Sequence, residues 1–534
     1  MSKARAKSQN RPVAVDLFCG AGGMSVGFEQ AGFDVKLGVE MDGYHVATHD
    51  RNFPYGKTLC RSVADLKAAD IFSALDGNEE IDVIFGGPPC QGFSNMGSRD
   101  ALDPRNTLVG HFVRVVCEVQ PKAFVMENVP GMLSGSTQAV LADAIRRLES
   151  AGYNLTQPVR ILDASLFGVP QKRKRLILLG LRNDVAGKIV YPTQSPVDSP
   201  ERPNVWEAIA DLPDVDRDDT LFANNNCNYT KEPKSDYAKV MRGHVVDPND
   251  YSYPRVWDSK RCTGCLRVKH TPGAIALYES TPVGEMVPSH KLPRLDPDGI
   301  APTLRAGSDS AHGSYTAPRP IHPFRPRCIT AREAARLHGF PDWFAFYPLK
   351  WHAYRQIGNA VCPPLARAIG REVLRAIGLQ PTKPKLSIAL SDVYHLPPDR
   401  PRTLKRIPQV IHYPPVIERL FSDRYDDKSK SVHRATFSFA DVQKAVVDTG
   451  VQLTWIRADT FLNEIARSRN LRILIEPCLN RGYTIRKSTT QDSIGEFVPV
   501  GHPEGIELKA DPKRTAVKLK RIKGVTDGSR TLFG

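Results

Sequence analysis

The chain has no stretch approaching the roughly 18 consecutive apolar residues that a membrane-crossing helix needs, which argues against a helical membrane protein. Its first residues, MSKARAKSQNRP, are basic and polar. They lack the apolar core of a secretory signal peptide and read as a flexible basic arm, residues 1–11, on a cytoplasmic protein. Cysteine is sparse: ten among 534 residues, scattered at 19, 60, 90, 117, 227, 262, 265, 328, 362 and 478. That spacing excludes a small disulfide scaffold and favours free thiols in a reducing compartment, one of which is available as a nucleophile. Acidic residues are in deficit, 58 against 73 lysines and arginines, for a formal charge of +15. A surplus of this size favours a polyanionic partner, because each neutralised phosphate releases counterions. No internal repeat is present, so a solenoid or propeller is not indicated.

What is present fits a globular chain of two or three domains, with 41% hydrophobic and 25% charged residues. Short apolar runs alternate with amphipathic stretches over residues 12–182. VAVDLF (13–18), VKLGVE (35–40), IDVIFGG (81–87), AFVMEN (123–128) and RLILLGL (175–181) read as strands. MSVGFEQAGF (24–33), TLVGHFVRVVCEVQ (107–120) and QAVLADAIRRLESAG (138–152) read as helices. The alternation predicts an α/β fold with a parallel sheet covered on both faces, its ligand at the carboxyl ends of the strands. Residues 190–325 lose this period and read as a separate irregular domain. Helical spacing returns at 329–340 and 363–379, so residues 326–379 rejoin a first domain spanning 12–189. QPTKPK (380–385) reads as a linker. Residues 386–534 form an α+β module of unassigned role, with helices at FADVQKAVVDTG and DTFLNEIARSRN and a strand at LRILIEP (471–477).

GGPPCQGFS (86–94) combines opposite constraints. Pro88 and Pro89 stiffen the backbone before Cys90, while Gly86 and Gly87 allow close approach of another molecule. Such a loop presents one thiol to a substrate. DLFCGAGG (16–23) puts a glycine-rich turn between the first strand and its helix. It departs from the dinucleotide fingerprint and is compatible with a nucleotide-like cofactor or with a plain tight turn. Glu40 ends the second strand, where an acid commonly holds ribose hydroxyls, and Asp65 follows near the expected end of a third.

DLFCGAGG, GGPPCQGFS, FVMENVPGM (124–132), QKRKRLILLG (171–180) and YRQIGNAVCPPLARAIG (354–370) occur in that order. Together they closely resemble the C5-cytosine DNA methyltransferases over residues 12–379. The resemblance implies a Rossmann-like domain that binds S-adenosylmethionine, with a smaller target-recognition domain at 190–325. It implies that Cys90 is the nucleophile that adds to C6 of a cytosine flipped out of duplex DNA. Glu127 would engage the ring N3 and exocyclic amine, which calls for a raised pKa. Gln171, Arg173 and Arg175 share one side of a strand and would face the base and its phosphate, with Arg173 on the cytosine O2. Phe18, Gly20, Gly22 and Gly23 would line the methionine end of the cofactor. Glu40 would take its ribose and Asp65 its adenine amine; Pro88 would sit between cofactor and base. Asn359 and Val361 would close the pocket. Cys362 stands where the family usually has proline, although Pro363 and Pro364 follow directly.

The implied setting is a modification enzyme paired with a restriction endonuclease, acting as a monomer on double-stranded DNA in the cytoplasm, near the nucleoid. Two other readings are a tRNA cytosine-5 methyltransferase and a catalytically silent DNA-binding regulator. RCTGC (261–265) supplies only half of a zinc ligand set, and Cys227 and His270 lack a familiar spacing, so no metal is expected. KRTAVKLKRIK (513–523) is basic enough to touch DNA phosphates outside the recognised site.

Overall fold

The structure is a computed structural model describing residues 11–75, 80–89, 107–135, 137–194, 202–287, 292–307 and 319–390. Beyond these it describes segments 406–410, 413–433, 436–449, 453–457, 481, 483–487, 495–499, 506–510 and 517–521. The chain divides into two compact units, Met1–Asp399 and Arg400–Gly534.

The first unit is built on β1 (Val13–Leu17), α1 (Gly23–Ala31), β2 (Asp34–Glu40), α2 (Gly43–Asn52), β3 (Lys57–Cys60), α3 (Ala68–Ala74), β4 (Val83–Gly86), α4 (Thr107–Val119) and β5 (Ala123–Asn128). α5 (Thr137–Ser150), β6 (Tyr153–Leu155), β7 (Arg160–Asp163) and β8 (Lys174–Arg182) complete an eight-stranded sheet of order β3-β2-β1-β4-β5-β8-β6, with β7 also paired to β8. β1, β4 and β5 are buried along their whole length, as strands covered on both faces must be. One face packs Leu17, Ile84 and Met126 against Phe112, Val116 and Leu148. The other packs Ala14, Phe85 and Val125 against Phe28, Leu365 and Ile369.

Only part of the sheet is parallel. β1, β2, β3, β4 and β5 pair in parallel, whereas β8 runs antiparallel to β5, β6 and β7. The expectation of a parallel sheet fails there because a parallel return needs a long crossover. Between β7 and β8 the chain makes only a short 3₁₀ turn, Ala164–Phe167.

Residues 202–390 contribute α6 (Val205–Ile209), β9 (Asn226–Asn228), α7 (Asp236–Met241), β10 (Arg255–Val256), β11 (Arg261–Thr263), α8 (Pro272–Ser280), β12 (Met286–Val287), β13 (Leu292–Pro293), α9 (Ala331–Leu337), α10 (Lys350–Asn359), α11 (Pro363–Ala376) and β14 (Ile388–Ala389). The region does not separate cleanly at 325. Val205, Leu212, Leu221 and Leu304 share a core with Phe340, Phe344 and Ile357, and with Ala21, Val26 and Phe53 of the sheet domain. The apolar faces of α9 and α10 need partners, and residues 205–304 supply them. Cys227 and Cys262 face each other in the β9–β11 register, and Cys265 bonds back to the Cys262 carbonyl at 3.5 Å. Among the described residues, no group of three or more His, Cys, Asp or Glu side chains is arranged to hold a metal ion.

The expected arm and linker are placed differently. Arg11 is buried, 5% exposed, with its Nε 2.7 Å from Asp34 Oδ1; residues 1–10 lie outside the described residues. Thr382 accepts from Arg11 through its carbonyl, and β14 pairs in parallel with β10. Residues 380–385 therefore pack on the first unit, and the boundary falls at Asp399/Arg400. Within the second unit, Arg406–Val410 pairs with Leu453–Arg457, helices Tyr413–Ser422 and Phe439–Thr449 pack together, and Phe497 lies against Phe421 and Phe437. The expected helix at 459–470 and strand at 471–477 fall outside the described residues.

Candidate active site

The carboxyl ends of β1, β2, β4 and β5 form the edge at which Phe18, Glu40, Pro88 and Glu127 lie. The chain leaves β1 through Phe18, at φ 61°, a left-handed conformation costly for a residue with a side chain. It turns through Gly20 and Gly22, at φ 55° and 107°, into α1. Glu40, at the end of β2, fastens this turn. Its Oε2 accepts the Gly20 N–H at 3.1 Å and its Oε1 accepts the Asp42 N–H at 2.8 Å. A Cβ at Gly20 would meet nothing within 4 Å, so this backbone faces open space beside the acid, and neighbouring Met41 is 59% exposed. An open glycine turn beside a carboxylate fits a nucleoside-like group. Val361 reaches the same turn from the far end of the chain: a Cβ on Gly23 would lie 2.5 Å from the Val361 carbonyl oxygen. Asn359 is exposed at the end of α10.

Asp65 is not brought to this edge. It is exposed and lines an open hollow of about 780 Å³ with Lys67, Arg114 and Glu118, in which Gly20, Glu40 and Pro88 have no part. β3 ends one register step beside Glu40, at Cys60. The chain then turns through Ser62, whose side chain accepts the Ala64 N–H at 3.2 Å. The sheet-edge position thus belongs to Cys60–Ser62, and Asp65 lies beyond it.

A buried chain behind the turn was not anticipated. Ser25 Oγ donates to Asp16 Oδ2 at 2.6 Å and lies 3.1 Å from His49 Nε2, while His49 Nδ1 lies 2.9 Å from Thr58 Oγ1. Burial pushes Asp16 well above the usual carboxylate range and His49 down to about 3, so the imidazole is neutral at physiological pH. The signal in the sequence is glycine at 22 and 38, where added Cβ atoms would lie 3.1 Å and 2.8 Å from the His49 ring.

At the end of β5, Glu127 is 9% exposed and its Oε1 lies 2.6 Å from Arg175 Nε. Burial raises its pKa, against the opposing charges of Arg175 and Arg173. A Cβ on Gly87 would come within 2.7 Å of Glu127 Oε2, so only glycine permits this approach. Asn128 Nδ2 donates to the Pro88 carbonyl at 3.2 Å. Glu127, Arg175 and the start of the proline loop are thereby held together. Cys90, two residues past Pro88, lies outside the described residues.

Alternation along 171–175 holds in part: Gln171 and Arg173 point inward, and Lys172 and Lys174 are exposed. The roles expected of the inward residues change. Arg173 is 1% exposed and donates to the carbonyls of Leu304 at 3.0 Å and Gly358 at 2.7 Å. Gln171 donates to the Leu337 carbonyl at 3.2 Å and accepts the Leu304 N–H at 3.0 Å. Both tie the approach to β8 to the segment carrying Leu304, and Arg173 also to Gly358, while Arg175 is the arginine paired with the site acid. Arg175 also lines a hollow of about 490 Å³ with Pro130, Lys172, Lys174, Pro302 and Thr303, a cationic setting beside Glu127.

The chain is similar to known proteins. The profile of the C-5 cytosine-specific DNA methylase family matches residues 13–375. Type II methyltransferase M.XorII of Xanthomonas oryzae pv. oryzae is 43% identical over 383 residues, 72% of this chain and 89% of the relative. Type II methyltransferase M.AgeI of Thalassovita gelatinovora is 31% identical over 434 residues, 68% of this chain and 99% of the relative. A solved structure of a prophage-encoded E. coli protein assigned as a DNA modification methyltransferase is 34% identical. It covers 68% of this chain and 99% of its own, with a TM-score of 0.58.

Proposed function

The chain belongs to the C-5 cytosine-specific DNA methylases, and from that premise we propose how its own residues divide the work. The observation that carries the reading is the buried Glu127–Arg175 pair at 2.6 Å, joined through Asn128 to the loop that leads to Cys90. C5 of cytosine is a weak nucleophile. Addition of the Cys90 thiolate to C6 forms a C–S bond and moves the ring electrons toward C5, which then takes the methyl group. Loss of the C5 proton and elimination of Cys90 restore the aromatic ring and the thiolate. Glu127 holds a proton at N3 during addition, where its raised pKa suits a hydrogen-bonding acid. Arg175 steadies that carboxyl and faces the base O2.

S-adenosylmethionine supplies the electrophilic methyl group when bound. Phe18, Gly20, Gly22, Gly23, Glu40, Pro88, Asn359 and Val361 would hold it. Unpairing and flipping the target costs about a few kcal/mol. Lys172 and Lys174, beside Arg175, offer charge to the backbone of the displaced nucleotide. Residues 190–325 read the sequence context. The type II relatives support a modification enzyme acting on double-stranded DNA alongside a restriction endonuclease. Among the described residues, no helix is long and apolar enough to cross a membrane.

The test is labelled methyl transfer by the purified chain to duplex DNA and to tRNA, beside Cys90→Ala. Transfer to DNA that disappears in the variant supports the reading. Transfer to tRNA alone, to neither, or undiminished in the variant overturns it.

A further inference from the structure

A charged cage lies behind Glu40, apart from the Glu127–Arg175 pair. His45, in the first turns of α2, is 5% exposed. Its Nδ1 lies 3.8 Å from Glu40 Oε2, an ion-pair distance, and its Nε2 is buried without a hydrogen-bond partner. Asp42 caps α2 by accepting the Tyr44 N–H at 2.9 Å and pairs with Arg355 Nη1 at 2.8 Å. The His352 ring lies tilted against Tyr44 with ring centroids 3.8 Å apart. The charged groups facing His45 are thus Glu40 from β2, Asp42 from the cap of α2 and Arg355 from α10, with His352 of α10 facing Asp42. Burial alone would lower the imidazole pKa. Asp42 and Glu40 outweigh it and, against Arg355, hold it above the ordinary value. Asp42 in turn, despite its own burial, is held well below the carboxylate range by His45 and Arg355.

Glu40 already accepts one N–H on each oxygen. A carboxylate oxygen has about two lone-pair sites; with the His45 imidazole drawn to Oε2, it is Oε1 that keeps a direction for a ligand hydroxyl. Which way that direction points depends on how the carboxylate is held. We propose that His45, as an imidazolium, is a positioning residue that fixes Glu40 for the cofactor ribose and makes cofactor affinity fall as pH rises. The inference rests on the reading that Glu40 holds the ribose. A nucleoside covering the pair removes water from it, strengthens the attraction and binds the imidazole proton more firmly. Binding therefore takes up a proton. Affinity is greatest where His45 is already protonated in the free protein and declines as pH rises above that raised value toward the still higher one of the bound state.

The experiment is isothermal titration of the full chain with S-adenosylhomocysteine, from about pH 6 to about pH 9, in two buffers of different ionisation heat. The amino group of the ligand titrates in the same range, so the readout is the difference between wild type and His45→Gln. Wild type should lose about tenfold more affinity across the range than the variant, the equivalent of one pKa unit, and should take up more protons. Asp42→Asn keeps the imidazole and the cap but should move the wild-type midpoint to lower pH. Equal pH slopes and proton uptake in wild type and a folded His45→Gln overturn the proposal. If His45→Gln does not fold, an unmoved midpoint in Asp42→Asn does so. Glu40→Ala separates the two readings: undiminished binding overturns the ribose assignment and this inference with it. Lost binding in Glu40→Ala, with unaltered pH dependence in the other variants, overturns only the role of His45.

Discussion

Arg173 and Arg175 stand two residues apart at the entry to β8 and do different work. Arg175 contacts the site acid, whereas Arg173 is spent on the carbonyls of Leu304 and Gly358. Arg175→Ala should therefore cut kcat, with a smaller loss of melting temperature than Arg173→Ala, because Glu127, its pKa already raised by burial, can take up a proton when left alone. Arg173→Ala should lower the melting temperature, because each buried carbonyl left unpaired costs about 1–3 kcal/mol. Differential scanning calorimetry beside steady-state methylation checks this, and the reverse pattern would return the base contact to Arg173. Glu127→Gln should reduce kcat by about 10²–10⁴-fold, the usual weight of a positioned acid. The sign of the pH effect follows from the raised pKa of Glu127. If the protonated form serves, kcat declines as pH rises through that value, and the glutamine variant, which cannot ionise, loses this limb of the profile.

Elements show where sequence sufficed. The strands at 13–18 and 123–128 were legible because both faces are covered, so their apolar runs are nearly continuous. The helices over 107–120 and 138–152 were legible from their helical period. Glu127 and the glycine turn were legible because strand ends and turns fall where the pattern breaks. The direction of β8 was not legible, since an apolar run carries no sign of parallel or antiparallel pairing. Asp65 was misplaced because the end of a short, half-buried strand such as β3 is weakly marked. Nor could one-sided alternation distinguish an arginine facing a pocket from one facing backbone carbonyls. Capping gives a test at this scale. Thr330 and Glu333 form a capping box at the start of α9, and Glu333 also takes a two-pronged contact from Arg327 at 2.8 and 2.9 Å. Despite burial, these partners lower its pKa from 4.5 to about 2. The pair's stability is fully present above pH 4.5 and is lost as pH falls through about 2. Glu333→Gln should cost about 3 kcal/mol at neutral pH, and its deficit against wild type should shrink in acid denaturation melts.

Across the whole molecule, the question is how little of the chain still makes a methyltransferase. The residues placed at the glycine turn, at Glu127–Arg175 and at Val361 all lie in the first unit, and the family match ends at 375. A cut at 382, at the linker expected from QPTKPK, would nevertheless remove paired backbone. Ile388 N–H donates to the Pro254 carbonyl at 2.8 Å and Leu390 N–H to the Val256 carbonyl at 3.1 Å. Ile388 is itself buried. Two hydrogen bonds at about 1 kcal/mol each and one buried isoleucine at about 2 kcal/mol suggest a loss of about 4 kcal/mol. The segment they hold matters beyond its own stability. Arg255 follows Pro254 and donates to both oxygens of Glu29 on α1 at 2.7 and 2.8 Å, and Tyr253 N–H donates to Glu29 Oε1 at 2.8 Å. Loosening 253–256 therefore loosens the helix that begins at the cofactor turn. Residues 1–399 should melt close to the wild-type first transition, bind S-adenosylhomocysteine and methylate DNA. Residues 1–382 should melt several degrees lower and bind the same ligand more weakly. If the basic strand Val517–Arg521 adds phosphate contacts, both truncations should lose DNA affinity most at low salt, and their affinity should fall less steeply than wild type as salt rises. Equal melting temperatures for the two fragments would place the functional boundary back at 380–385. A folded 1–399 that binds cofactor but transfers no methyl group would assign residues 400–534 a necessary part in presenting the DNA.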